Sequence, residues 1–358
     1  MEKLLKKQRD SNIELLRILM MLVIIAHHYI VNSGVIQCIV STPPHSLQIN
    51  RFNVYFALVF GWGGKTAINV FVLITGYFMC RQQFKWRKVV FLALEIVLYR
   101  WLIYGIFLAS GYESFNFKEF IKTVLVLPYD FGWGFSSSFV GLYVLVPFIN
   151  KLLSVLDKKE LEKLICVLLV LFTGFSTFLF NTSFEYIGWY VTVYLIGSYL
   201  RLYEMDWMNS RRITALLCAC SLAFSWLSVI CIRFVAEKMN RNLPYYYFVA
   251  DSNKVLAIAT AISLFLLFKN INIGSNRLIN KFAESTFGVL MIHASSDTMR
   301  RWLWQDVCKN TFAFATNSFI FRAVFCTLAV YIVCVSIDMV RKFFTDRILS
   351  IFSKKIFI

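Results

Sequence analysis

The sequence predicts an all-α, polytopic integral membrane protein of about ten transmembrane helices with both termini cytoplasmic. Three observations carry that expectation. Of the 358 residues, 59% are hydrophobic and only 16% charged, against roughly 25% charged in a soluble domain, and the mean hydropathy is +0.65. Apolar runs of about 20 residues, the length that crosses a bilayer, recur along the whole chain. The net charge of +17 is placed where basic residues record topology. Such a composition excludes a disordered chain, a nucleic-acid-binding domain and a small disulfide scaffold, and it leaves no room for a large soluble domain.

Taken in order, spans are expected near 12–32, 54–80, 88–109, 133–151, 161–181, 184–202, 212–236, 252–269, 280–299 and 315–340. The second region is too long for one simple span and has Gly61, Gly63 and Gly64 in its middle, so it is expected to be broken or re-entrant. With a cytoplasmic N-terminus, the inner segments collect Lys3, Lys6, Lys7 and Arg9, then Arg81, Lys85, Arg87 and Lys88, then Lys151, Lys158, Lys159 and Lys163. Arg201, Arg211 and Arg212, then Lys269, Arg277 and Lys281, then Arg341, Lys342, Arg347, Lys354 and Lys355 continue the trend. The positive-inside rule and an even number of spans agree on that orientation.

The first span follows a basic stretch but lacks a small-residue cleavage site and contains Arg17, His27 and His28, so it is expected to be retained. The nine Cys include no CxxC, and only Cys38 and Cys308 fall in outer loops; buried, reduced thiols are expected. No repeat, low-complexity tract or linker divides the chain. One membrane-embedded domain is therefore expected over 1–358, with 1–10 as a short basic cytoplasmic tail.

Charges inside spans carry the functional information. Arg17, Lys65, Arg100, Arg233 and Arg322 fall within or at the edges of the predicted spans, and a charge at mid-bilayer costs about 2.5 kcal/mol or more. Arg233 and Arg322, near span ends, are expected to snorkel. Arg17 and His28 are eleven residues apart, which returns a helix to within about 20° and separates them by about 16 Å along the axis, so they share a face while His27 points elsewhere. Glu14, three residues before Arg17, can pair with the guanidinium. A cation near the cytoplasmic side and an imidazole in the outer half would suit a long anionic thioester whose phosphates stay inside while its acyl group reaches into the membrane. The His would then accept a hydroxyl proton as general base. An interfacial Arg and a His bonded to a neighbouring helix account for the pair equally well.

Lys65 and Asn69 enter the second run from the outer side, Lys65 as an interfacial anchor or as part of an acceptor cavity. Glu95 and Arg100 lie about 140° apart on their helix, so they are expected to have different partners, Glu95 an Arg from another helix. His293, Asp297, Arg300 and Arg301 share much of one face beside Trp302 and Trp304. Those Trp are either belt anchors or a surface for a sugar. Ser136, Ser137 and Ser138 either serve the same cavity or cap a helix. No Gly-x-Ser-x-Gly and no zinc-type His/Cys cluster is present, so a serine hydrolase or a metal mechanism has no support.

The run from Asn12 to His28, with its Arg-x10-His spacing, resembles the first helix of the acyltransferase-3 family, membrane-bound O-acyltransferases that decorate bacterial glycans. In order along the chain, Phe71 to Phe78 (FVLITGYF), Gly141 to Asn150 (GLYVLVPFIN) and Ser285 to His293 (STFGVLMIH) are similar to later family segments, with Leu290 where Tyr is more usual. The resemblance spans nearly the whole chain. It implies a bacterial cytoplasmic membrane protein that takes acetyl or another short acyl group from cytoplasmic acyl-CoA, usually acetyl-CoA. The acceptor it implies is a hydroxyl of a cell-surface or lipid-linked glycan. By the same carry-over, His28 is the catalytic residue and Arg17 positions the donor, with Glu14 beside it. The basic pair after the second helix is matched only loosely by Arg81 and Arg87. Lys65, Asn69, Arg100, His293, Asp297, Arg300 and Trp302 are the candidates for acceptor binding. Acyl-CoA, the saccharide and membrane lipid are the expected partners, with no nucleic acid and no metal. A transporter or flippase of a lipid-linked sugar is the alternative.

Overall fold

A bilayer leaves no water to satisfy backbone groups, so the chain must close its own hydrogen bonds, and every regular element among the described residues is helical. The computed structural model describes residues 10–132, 134–179 and 186–356, with side chains as far as 345. Lys3, Lys6, Lys7 and Arg9 of the basic tail lie outside the described residues, as do the side chains of Arg347, Lys354 and Lys355.

The elements run α1 (Ser11–Val31), α2 (Val35–Ser41), α3 (Arg51–Phe60), α4 (Gly64–Met79), α5 (Trp86–Ala109), α6 (Phe117–Val124), α7 (Val126–Tyr129) and α8 (Phe135–Val155). Then come α9 (Lys158–Leu169), which continues as π-helical turns over Val170–Leu179, α10 (Tyr186–Leu202), α11 (Arg211–Met239), α12 (Val255–Asn270) and α13 (Arg277–Ala283). Last are α14 (Thr286–His293), α15 (Asp297–Arg301), α16 (Asn310–Phe314) and α17 (Phe319–Ile356). Among the described residues seven helical runs are long and apolar enough to cross a membrane, α3 and α4 counting as one, and α12 is apolar but shorter. Helix α1 is central: it buries Leu16, Met21, Ile24, Ile25 and Tyr29 against α4, α12, α13, α14 and α17.

Glycines set the closest approaches. The second region breaks at Gly61 to Gly63, as expected, because α1 presses on that turn. A Cβ on Gly63 would lie 2.5 Å from Val23, and one on Gly64 would lie 2.4 Å from the His27 ring. Farther along α4, a Cβ on Gly76 would fall 2.3 Å from the Tyr194 carbonyl and one on Gly197 would fall 2.5 Å from that of Leu73. Helices α4 and α10 therefore run antiparallel with their backbones in contact, and Ser198 Oγ donates to Gly76 O at 3.3 Å. Small residues at a crossing are what membrane helices use in place of hydrophobic burial. The π-helical turns after α9 have carbonyls that meet side chains instead of backbone: Asn253 donates to Phe172 O at 2.9 Å and Tyr247 to Thr177 O at 2.9 Å.

Four sequence expectations are corrected. The ninth span, 280–299, is three short helices, α13 to α15, since Ser285 and the stretch 294–296 interrupt it and Ser296 caps α15 by accepting from Met299 N at 3.0 Å. Arg233 does not snorkel: it is buried and donates to Glu237 Oε1 at 3.1 Å and to the Tyr245 hydroxyl at 3.0 Å, a desolvated position that its paired guanidinium makes tolerable. The thiols are all free, yet Cys166, Cys220 and Cys231 sit on outward helix faces, where the predicted span leaves a small apolar side chain for lipid. His27 does not point away from His28; both border the same cavity.

The expectation for Glu95 holds. It meets Arg341 at 2.8 Å, and Arg341 also meets the fully buried Asp338 at 2.8 Å. Tyr99 donates to Asp338 at 2.7 Å, and Lys342 pairs with the other carboxylate oxygen at 2.9 Å, so a buried polar network ties α5 to α17.

Candidate functional site

The site forms where the last turns of α1 meet the start of α4, the middle of α5, the start of α8 and α14–α15. These elements enclose a partly open cavity of about 710 Å³, within the size range of small-molecule pockets. His27, His28, Lys65, Arg100, Asp130, Ser136, Ser137, Asp297 and Arg300 border it. Helical geometry explains the first two: both sit in the last turn and a half of α1, and the glycine turn before α4 makes room for His27.

Each imidazole has a defined partner. His27 Nδ1 lies 2.5 Å from the Gly61 carbonyl oxygen. His28 Nδ1 lies 3.0 Å from Nε2 of His293, and Nδ1 of His293 lies 2.6 Å from Val289 O. His293 is fully buried with the edge of Trp304 at 6.4 Å between ring centroids. It stands behind His28, away from the cavity wall, and the sequence reading of His293 as an acceptor contact is corrected accordingly. The reason is that α14 packs its last turn against α1, which turns residue 293 inward.

The cations of the cavity differ in how well they are matched. Lys65 Nζ is 2.5 Å from the Tyr186 hydroxyl and 3.5 Å from Asp251, so its charge is shared with two groups at the rim. Arg300 pairs with Asp297 at 2.7 Å, and Asp297 is itself almost fully exposed. Arg100 borders the cavity with a buried Nε that has no hydrogen-bond partner. Ser136 Oγ reaches only the Met291 sulfur, at 3.6 Å, whereas Ser137 donates to Val126 O at 3.4 Å.

Two residues read from the sequence as acceptor contacts are held elsewhere. Asn69 is fully buried; its amide donates to Ser252 O at 2.6 Å and accepts from Trp189 Nε1 at 2.9 Å, so it joins α4, α10 and the loop before α12. Trp302 packs edge-to-face on Phe107 at 5.8 Å, a contact between the π-helical turns that follow α15 (Trp302–Val307) and α5, outside the cavity wall.

Arg17 and Glu14 form the expected pair at 3.8 Å but lie toward the other end of α1. The pair is an ion contact through Glu14 Oε2, which makes no hydrogen bond, and Arg17 Nε is likewise buried without a hydrogen-bond partner. That end also holds Arg81 and Arg87, because α4 runs antiparallel to α1. The ends of α10 and α12 lie there too: Arg201 donates to Tyr77 OH at 3.0 Å, Lys269 to Glu204 at 3.3 Å and Asn12 to Phe268 O at 2.8 Å. Arg81 and Arg87 are exposed, Arg87 resting over the Phe91 ring at 5.1 Å.

Sequence reasoning missed His27 and Asp130 as wall residues. For His27 the sequence signal was Gly64, where a Cβ would lie 2.4 Å from the His27 ring. Asp130 follows a four-residue helix, α7, too short to leave a periodic pattern.

A family model described as an acyltransferase domain, that of acyltransferase-3, matches residues 10–339. No curated protein and no solved structure matches the chain.

Proposed function

This chain belongs to the acyltransferase-3 family, and from that premise we propose that it is a membrane O-acyltransferase moving acetyl, or another short acyl group, from acyl-CoA to a saccharide hydroxyl. The observation that carries the reading is an imidazole, His28, at the wall of a cavity of about 710 Å³ that Arg100 also borders, with its Nε buried and without a hydrogen-bond partner. With the basic Arg17 end in the cytoplasm, the cavity opens on the opposite side of a bacterial cytoplasmic membrane, where a cell-surface or lipid-linked glycan is found.

In this reading the donor enters from the Arg17 end. The Arg17 guanidinium, steadied by Glu14, meets the anionic part of CoA, and the exposed Arg81 and Arg87 add positive charge for its phosphates. The acyl group extends along α1 to His28. The acceptor sits in the cavity, its hydroxyls met by Arg100, Arg300, Asp297 and Lys65. His28 takes the hydroxyl proton, the oxygen attacks the thioester carbon, the C–S bond breaks, and the proton returns to the departing thiolate. Asn69 and Trp302 hold the framework around this site. A membrane acyltransferase of this design needs no metal.

The test is transfer of label from acyl-labelled acetyl-CoA into the glycan fraction of membranes carrying wild type, His28→Ala or no protein, at matched expression. Wild type alone is expected to label the acceptor, with His28→Ala lower by roughly 10²–10⁴-fold, the range that general-base catalysis supplies. Equal label in all three, with the acceptor present, sinks the reading in favour of a transporter or flippase of a lipid-linked sugar, which consumes no thioester.

A further inference from the structure

We infer that His293 is a positioning residue that fixes the tautomer of His28, so that the Nε2 of His28 carries the lone pair that receives a proton. The catalytic consequence rests on the acyl-transfer reading; the tautomer itself does not.

The argument follows the direction of the hydrogen bonds. A carbonyl oxygen only accepts, so the nitrogen 2.6 Å from Val289 O, Nδ1 of His293, carries a proton. A neutral imidazole has one N–H, which leaves Nε2 of His293 with a lone pair. That lone pair faces Nδ1 of His28 at 3.0 Å and can only accept. The proton of a neutral His28 is therefore on Nδ1, and Nε2 is the basic nitrogen. One backbone carbonyl in α14 thus dictates, through two rings, which atom of His28 is free. Among the described residues neither ring bonds a carboxylate. His293 is fully buried against Trp304, and α14 is pinned because Gly288 lies against Asp338, where a Cβ would sit 2.2 Å from the carboxylate oxygen.

This arrangement has the logic of a base oriented by a third group, with a neutral imidazole where hydrolase triads place a carboxylate. When the acceptor oxygen bonds to the acyl carbon, its proton moves to Nε2 of His28. The ring then carries both protons, and His293 Nε2 goes on accepting from Nδ1–H. The C–S bond breaks, and the thiolate takes the Nε2 proton. His293 ends each cycle as it began, having neither lost nor gained a proton.

The chain has only four His, so full-length protein labelled with 15N-histidine and held in lipid bilayers gives a readable nitrogen spectrum, with His28 and His293 assigned from single variants. In wild type the spectrum is expected to show His28 protonated on Nδ1 and bare on Nε2; His28 protonated on Nε2 overturns the inference. In His293→Leu the His28 signals are expected to become mixed, and kcat to fall roughly 10²-fold with the KM for acetyl-CoA within about twofold. His293→Gln supplies an amide oxygen that can accept from His28 Nδ1–H and is expected to recover at least about a tenth of the wild-type kcat. Wild-type turnover in the Leu variant, or a folded Gln variant no better than Leu, also overturns it. Should the Leu variant fail to fold, the wild-type spectrum and the Gln variant decide. Failure of wild type to transfer acyl groups would remove the proposed reaction while the spectrum still reads the tautomer.

Discussion

At the scale of single residues, the two ends of α1 are assigned different work, and kinetics can separate them. Arg17→Ala is expected to raise the KM for acyl-CoA about 10- to 100-fold, the equivalent of one charge-assisted hydrogen bond of roughly 1.5–3 kcal/mol, with a smaller change in kcat. An unchanged donor KM would move Arg17 out of the donor site and leave it as half of a structural pair with Glu14. His28→Ala is expected to act on kcat instead, because a base contributes when the proton moves and not when the donor binds. The pairing of Glu14 with Arg17 was legible from an i, i+3 spacing, and the Arg17–His28 face from the period of the helix. The partnership of His28 with His293, 265 residues later, was not, since no local period links two helices so far apart in the chain.

At the scale of elements, the glycines matter for what they leave out. Gly76→Ala adds a single methyl group that would fall 2.3 Å from the Tyr194 carbonyl, so α4 and α10 must separate. Overpacking of this kind costs roughly 1–3 kcal/mol, and the thermal midpoint of the detergent- or lipid-held protein is expected to drop by several degrees. Gly105→Ala, with nothing within 4 Å of the added atom, is the control and is expected to leave the midpoint unchanged or slightly higher. Equal midpoints for both variants would show that the α4–α10 crossing is looser than described. Most helix limits were readable to within a few residues, because a bilayer demands long apolar runs and lipid-facing sides show up as composition. The failure of the ninth span has the opposite cause: its residues are apolar because protein surrounds them, and protein, unlike lipid, tolerates an interrupted helix.

At the scale of the whole molecule, the arrangement predicts which end faces which compartment. In a variant whose native Cys are replaced, a single Cys at Asp297 is expected to react with a membrane-impermeant maleimide added to intact cells, and one at Lys159 only after the membrane is opened. The reverse pattern would place the cavity on the cytoplasmic side and remove the transmembrane division between donor and acceptor. By itself the sequence determined that the chain is an all-α membrane protein, that basic residues gather at one set of loops, and that Arg17 and His28 share a helix face. These follow from composition and from periods within one element. Only the tertiary structure decided that His27 borders the cavity, that Asn69 and Trp302 belong to the framework, that Arg233 is buried with Glu237 and Tyr245, and that His293 stands behind His28. Apart from the Arg233–Glu237 pair, which is i, i+4 within α11, each of those depends on residues far apart in the chain meeting in space. Their juxtaposition is set by backbone approach at glycines and by the burial of polar groups with partners, and neither leaves a pattern along a single strand of sequence.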